Sequence, residues 1–331
     1  MNFPGNTQVP SFADIEAASQ RIAPRAVRTP LLENAYLNEA VNGRVLLKAE
    51  TLQRTGSFKF RGAFNRLSLL DDSQKAKGVV AYSSGNHAQG VAAAAKILGI
   101  ECTIIMPNDA PSLKIANTRN YGAEVVLYDR KTESREAIAS KFLDDRGATL
   151  IRPFDDPQII AGQGTCGLEI FEEANERDMA INAVLVCCGG GGLTAGIALA
   201  AREMSPASQI YAVEPKGFED TARSLAAGKR LENAPDAASI CDALLTPSPG
   251  ELTFQINQQL LSGALAVSDE QVREAMAFAM RNLKLVVEPG GAVCLAALLA
   301  GQFDAADKTV AITLSGGNAD PAFLADVMTA T

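Results

Sequence analysis

From Gly78 onward, short apolar runs alternate with longer segments of helical period, and few architectures accept that rhythm. The runs GVVAYSS, ECTIIMP, AEVVLYD, ATLIRPF, NAVLVCC, QIYAVEP and KTVAITLSGG carry apolar side chains at consecutive positions, as strands covered on both faces do. Between them the period predicts helices over 88–98, 112–121, 132–145, 165–175 and 193–204, with Gly99 and Gly122 as stops after two of them. Ser268 with Gln271, and Ser11 with Asp14, read as capping boxes. The pattern implies an α/β fold: an open, twisted, mostly parallel sheet with helices on both faces. Such sheets bind ligands at the carboxyl ends of their strands.

At 331 residues the chain has room for two domains or one large α/β unit. A net charge of −8 argues against a nucleic-acid surface, which needs a basic stripe, and makes small-molecule chemistry the default. The stretch MNFPGNTQVPSFADIEAASQ has no basic segment leading into an apolar run. Runs such as AVLVCC and AVCLAALLA are too short for a bilayer, so the expectation is a cytoplasmic protein with no membrane partner. The six cysteines are scattered, with Cys187 and Cys188 adjacent in a strand-like run, and read as buried thiols, not a disulfide framework. The single histidine, His87, excludes a zinc site with several histidine ligands, and a Ser-His-Asp triad would have to be built around it.

The strand ends carry unusual turns: SSGNHAQG, GGGGLTAG and SGGN. In CCGGGGLTAG a strand passes through four glycines into a helix, a place where backbone N–H groups and a helix N-terminus accept a phosphate. Gly190, Gly192 and Ala195 also satisfy G-x-G-x-x-A, with Glu214 about 20 residues on, so a nicotinamide dinucleotide competes as the ligand. A third element is Lys59, set between Phe58 and Phe60 in LQRTGSFKFRGAFN. Partial desolvation there lowers a lysine's pKa and makes its amine a usable nucleophile; the plainer reading is a stem packed on apolar surface with its head in water. A lysine for a Schiff base, a phosphate cradle, a partner for a ring nitrogen and a polar carboxylate-binding loop are together what pyridoxal phosphate needs. A nicotinamide enzyme, the competing class, does not need the lysine, and Lys59 argues against a third class, a non-catalytic protein that keeps the fold and binds a metabolite.

In this order, TGSFKFRGA, SSGNHAQG, AGQGT, GGGGLTAG, EPGGA and LSGGN resemble the serine/threonine dehydratase and serine racemase family of fold-type II pyridoxal phosphate enzymes. The 3-hydroxyaspartate ammonia-lyases belong to the same group, and the resemblance spans essentially the whole chain. It implies the two-domain, tryptophan synthase beta-like architecture, with a large cofactor-binding domain from 1–70 and 156–331. A small mobile domain, 71–155, would close on the substrate. It further implies a homodimer acting on a small amino acid, by elimination of water from a 3-hydroxy-L-amino acid such as L-threonine or L-serine.

By the same resemblance Lys59 carries the cofactor and then serves as base at the substrate Cα, while Phe58 packs on the ring. Gly189, Gly190, Gly191, Gly192 and Leu193 hold the phosphate, Asn86 meets the ring hydroxyl, and Ser315 meets the pyridine nitrogen as a neutral partner. Ser83, Ser84, Asn86, His87 and Gln163 bind the substrate carboxylate. Ser84 matches the serine with which racemases protonate the opposite face. Arg135 matches an arginine near dicarboxylate ligands, against the alternative of a surface residue paired with Glu133 or Glu136. Glu214, the Phe218 carbonyl and Asp220 match a divalent-cation site for Mg²⁺ or Ca²⁺, against the alternative of two solvated acids on a loop.

Overall fold

The computed structural model describes residues 9–110 and 112–330. Among them the strands are, in chain order, β1 (Leu31–Glu33), β2 (Arg44–Ala49), β3 (Val79–Tyr82), β4 (Cys102–Pro107), β5 (Glu124–Tyr128), β6 (Thr149–Leu150), β7 (Ala183–Cys187), β8 (Gln209–Pro215), β9 (Gly263–Val267) and β10 (Thr309–Leu314). They form two sheets: a six-stranded one in the order β1-β2-β10-β7-β8-β9 and a four-stranded one in the order β5-β4-β3-β6. Every neighbouring pair is parallel except β1 with β2.

The consecutive apolar residues follow from burial on both sides. In β7, Leu185 and Cys187 face the core that includes Val293 and Leu295 of the helix Pro289–Leu299. Val184 and Val186 face the opposite core, with Ile160 of the helix Pro157–Glu176 and Ile197 of the helix Gly192–Met204. A one-residue slip would exchange the two sets, and each side chain here is worth roughly 1.5–3 kcal/mol of burial, so the register is firmly held. The smaller sheet has its own core, in which Val79 and Ala81 meet Val91 of the helix Asn86–Leu98 and Phe60, Ala63 and Phe64 of the helix Lys59–Ser68. Lys59 thus opens a helix that packs toward the small sheet, while Gly62 of the same helix lies against Gln163 of Pro157–Glu176.

Both expected capping boxes are present, and Gly99 closes its helix in the left-handed conformation. Several expectations are corrected. The ATLIRPF strand shrinks to Thr149–Leu150, because the Asp155 and Asp156 side chains beyond it accept from the N-termini of two helices, Glu251–Leu260 and Pro157–Glu176. The helix expected over 165–175 starts earlier, at Pro157, under that Asp156 cap. The one expected over 132–145 starts at Arg135, capped by Ser134. The π-helical turn Ala279–Leu283 and the strands β1, β2 and β9 are among the elements that the alternation left out, as are the helices Lys59–Ser68, Glu251–Leu260 and Pro289–Leu299.

Candidate active site

The strand ends β3, β7 and β10 open onto Ser83, Gly189 and Ser315 respectively, and the start of the lysine helix is joined to the last of these. Ser57 bridges Gly316, and the Phe58 N–H donates to the Ser315 carbonyl at 3.1 Å. Lys59 is half-buried. Its Nζ donates to the Pro153 carbonyl at 2.9 Å and lies 5.2 Å from the centroid of the Phe58 ring. Burial pushes its pKa from 10.5 down to about 8, with the Glu288 carboxyl pulling the other way. Only one of the flanking phenylalanines is a neighbour in space: Phe60 is fully buried and stacks on Phe64 at 5.5 Å in the core.

The glycine turn is held by its carbonyls. Thr253 Oγ1 donates to the Gly190 oxygen at 2.6 Å, and Asn257 Nδ2 to the Gly191 oxygen at 3.4 Å. The N–H groups from Gly189 to Leu193 have no acceptor among the described residues, at the mouth of the helix Gly192–Met204. Gly191 sits at φ 89°, where a side chain is strained. A Cβ on Gly190 would stand 2.3 Å from the Phe154 ring. A row of undirected donors at a helix N-terminus, on a backbone that tolerates no side chain, fits a phosphate group.

Asn86, first residue of its helix, donates from Nδ2 to Glu288 Oε1 and accepts at Oδ1 from Asn318 at 2.8 Å. His87 is buried, with Nε2 3.0 Å from the Ile151 carbonyl, so this nitrogen carries the proton. Burial, together with the nearby Lys59 charge, pushes His87 down to about 3. The ring is therefore neutral and its side-chain donor is engaged, which leaves only the backbone N–H for a carboxylate. Ser83 Oγ accepts from Gly85 at 3.2 Å, whereas the Ser84 hydroxyl has no protein partner among the described residues. Gln163 is buried, and its Oε1 accepts from the Gly62 N–H at 3.2 Å; the contact it displays is a link between helices. Ser315 is buried beside Cys187, whose thiol is lowered to about 7, against the effect of burial, by hydrogen bonds from Cys294, Thr313 and Ser315.

Arg135 stacks over the Tyr82 ring at 4.9 Å and pairs with Glu136 at 2.8 Å, not with Glu133. Tyr82 immediately precedes Ser83, so the guanidinium lies beside the SSGN turn while remaining 44% exposed. Glu214 and Asp220 are both fully buried, which removes the reading as solvated loop acids. The Glu214 carboxylate accepts from the N–H groups of Thr221 and Ala222 at 2.8 and 2.9 Å, one on each oxygen, which leaves a lone pair on each for a further partner. Burial raises Glu214 to about 8 and Asp220 to about 6. Asp220 Oδ1 accepts from Asn233, and Oδ2 is buried with no partner. Among the described residues no three His, Cys, Asp or Glu side chains gather in a metal-ligating group. The Asp220 charge adds to the effect of burial on Glu214, so the two carboxylates are neighbours, and carboxylate oxygens are hard donors of the kind Mg²⁺ or Ca²⁺ takes.

The residues that pattern reading missed are Glu288, Asn318, Pro153, Phe154, Thr253 and Asn257. EPGGA and SGGN stood out as segments, but no spacing rule joins Glu288 to Asn86 across 202 residues.

Comparison with known proteins agrees with this geometry. The family described as pyridoxal-phosphate dependent enzyme matches residues 22–316, and the chain belongs to it. It is 44% identical to an L-threo-3-hydroxyaspartate ammonia-lyase of Pseudomonas sp, over 95% of this chain and 97% of that one. It is 41% identical to the catabolic L-threonine dehydratase of Escherichia coli K12, over 93% and 92%. Among solved structures, maize serine racemase superposes with a TM-score of 0.91 at 38% identity, covering 98% of each chain. The fold is that of the fold-type II enzymes, as the turn motifs imply, and the activity depends on pyridoxal phosphate. No helix among the described residues is long and apolar enough to cross a membrane.

Proposed function

We propose that this protein is a pyridoxal 5'-phosphate-dependent ammonia-lyase that removes water from a 3-hydroxy-L-amino acid, L-threonine or L-serine first among them. The products are a 2-oxo acid and ammonia. The observation that carries this reading is a half-buried lysine with its pKa brought down to about 8, beside a turn of unsatisfied N–H donors. Bound at Lys59, the cofactor supplies an electron sink that makes the substrate Cα proton removable.

The chain's own groups do the rest. The N–H groups of Gly189 to Leu193 would hold the phosphate, Phe58 would pack on the ring, Asn86 would donate to the ring hydroxyl, and the Ser315 hydroxyl would meet the ring nitrogen. A neutral hydroxyl at that position would not hold a proton on the nitrogen, and the chemistry the cofactor would then supply favours loss of the β-hydroxyl. The Lys59 amine, at a pKa near neutrality, takes the Cα proton. Ser83, Ser84, Asn86, Gln163 and the His87 N–H bind the carboxylate at a helix start. The proton and hydroxide lost make up the water, and the released enamine hydrolyses to the oxo acid and ammonia.

The segment 71–155 acts as the closing domain, and the enzyme works as a cytoplasmic homodimer. Glu214, the Phe218 carbonyl and Asp220 hold a Mg²⁺ or Ca²⁺ ion; the orphan Asp220 Oδ2 supports this. A second reading, serine racemase activity on the same scaffold, is favoured by the unpartnered Ser84 hydroxyl. A third, 3-hydroxyaspartate ammonia-lyase, is favoured by Arg135 beside the SSGN turn. The test is to supply the loaded protein with L-threonine, L-serine and threo-3-hydroxyaspartate and follow 2-oxo acid formation. Turnover of the first two ahead of the third is expected, and no oxo acid from any of them would overturn the reading.

A further inference from the structure

The side-chain amide of Asn86 can point either way, and only one orientation offers an N–H to a ligand while satisfying its protein partners. The structure fixes the direction through a chain of partners whose first member can only accept. Asn318 Nδ2 donates to the Thr55 carbonyl at 2.8 Å, and with its second hydrogen to Asn86 Oδ1, also at 2.8 Å. Both donors of Asn318 are then used, Asn86 must present its oxygen to Asn318, and its nitrogen turns to Glu288 Oε1. A carboxylate accepts there, and so does the carbonyl oxygen of a neutral carboxyl, so the direction survives either state of Glu288. One Asn86 hydrogen remains unclaimed.

The ends of this chain are held at some cost. Thr55 is β-branched yet sits at φ 66°, a left-handed conformation that is strained for such a side chain, and that conformation belongs to the turn whose carbonyl receives Asn318. The bonds from Gly56 N to Gln53 O and from Gly317 N to Gly56 O fasten the turn. At the other end Glu288 is 1% exposed, its N–H donates to the Gly316 carbonyl, and its Oε2 is buried with no partner. A Cβ at position 316 would lie 2.1 Å from Glu288 Oε1, which accounts for the glycine. Thr55 Oγ1 and Ser57 Oγ are likewise buried and unpartnered.

We propose that Asn318 and Glu288 are positioning residues, which act through Asn86 by fixing its amide so that an N–H is offered to the ring hydroxyl of the cofactor. The inference rests on the pyridoxal phosphate reading and deepens it. It assigns a role to the last residue of SGGN and the first of EPGGA, and it ties Asn86, at the end of the small sheet, to two segments of the large one.

The experiment titrates cofactor-free full-length protein with pyridoxal phosphate, and with an analogue lacking the ring hydroxyl, reading affinity by fluorescence. Asn318→Asp keeps the shape but can donate to neither Thr55 nor Asn86, and Glu288→Leu removes the acceptor; each is expected to weaken pyridoxal phosphate about tenfold. Glu288→Gln can still turn an oxygen to Asn86 and is expected to stay within about threefold of the unaltered protein. For the analogue the tenfold losses should shrink below about twofold, and likewise in an Asn86→Ala background. A purely structural role would weaken both ligands equally and add to the Asn86→Ala loss, and that result overturns the proposal. So does unchanged affinity in both Asn318→Asp and Glu288→Leu. If Asn318→Asp fails to fold, the Glu288 pair carries the test alone. Absence of pyridoxal phosphate binding by the unaltered protein refutes the cofactor reading itself, and is told apart from these outcomes at the first titration.

Discussion

Lys59 lowers the stability of the cofactor-free protein for the sake of its chemistry, and Lys59→Met exposes how much. Its pKa moves from 10.5 to about 8, and at 1.36 kcal/mol per pH unit that is a penalty of about 3 kcal/mol on the folded ammonium form. Because the side chain is half-buried, solvent screens part of this, and about 2 kcal/mol is the working figure. Methionine removes the charge but forfeits the charged hydrogen bond to the Pro153 carbonyl, worth about 1.5 kcal/mol. The variant should therefore be more stable than the unaltered protein by about 0.5 kcal/mol at pH 7. The sign of the pH dependence follows from linkage. Between pH 8 and 10.5 the unfolded lysine still holds a proton that the folded one has released, so the unaltered protein gains stability as pH rises through that window. Lys59→Met cannot, so its advantage should shrink from pH 8 upward. Urea unfolding of both cofactor-free proteins at pH 7, 8 and 9 gives the difference directly, with other titrating groups cancelling. A variant less stable than the unaltered protein at pH 7, with a difference independent of pH, would refute the reasoning.

Three further outcomes are expected. Gly191→Ala places a methyl at φ 89° and 2.7 Å from Asn257 Nδ2, and should weaken pyridoxal phosphate at least tenfold in a fluorescence titration. Chelation should lower the melting temperature and added Mg²⁺ or Ca²⁺ should restore it, whereas Asp220→Ala should respond to neither. Arg135→Ala should lower kcat/KM for threo-3-hydroxyaspartate by roughly 2 kcal/mol, some thirtyfold, and that for L-serine far less. A surface pair with Glu136 alone would give small, equal changes on both substrates.

The parts of this molecule that the sequence exposes are those governed by local rules. The two-sided burial of β7 and β10, the two capping boxes and the glycine turn between β7 and its helix all write themselves into consecutive residues. β2 escapes the pattern because Lys48 sits in it fully buried, held by Glu169 at 2.6 Å from 121 residues away. The same acid joins Glu50 around Arg61 in an internal network of ion pairs. Phe60 looks like a wall of the lysine pocket in the sequence, but helical geometry turns it one position on into the core. The state of His87 depends on a carbonyl 64 residues away, and the direction of the Asn86 amide on Thr55, Asn318 and Glu288 together. Contacts of that range have no period, and only the folded chain displays them.

Everything proposed about function turns on Lys59 as the residue that holds pyridoxal phosphate. Borohydride reduction of the loaded protein, followed by proteolysis and mass spectrometry, tests this most directly. The account predicts that the visible absorption disappears on reduction and that the pyridoxyl phosphate mass is found on the peptide at Lys59. A reduced adduct on another lysine, or none from a protein that binds a nicotinamide nucleotide instead, would contradict it.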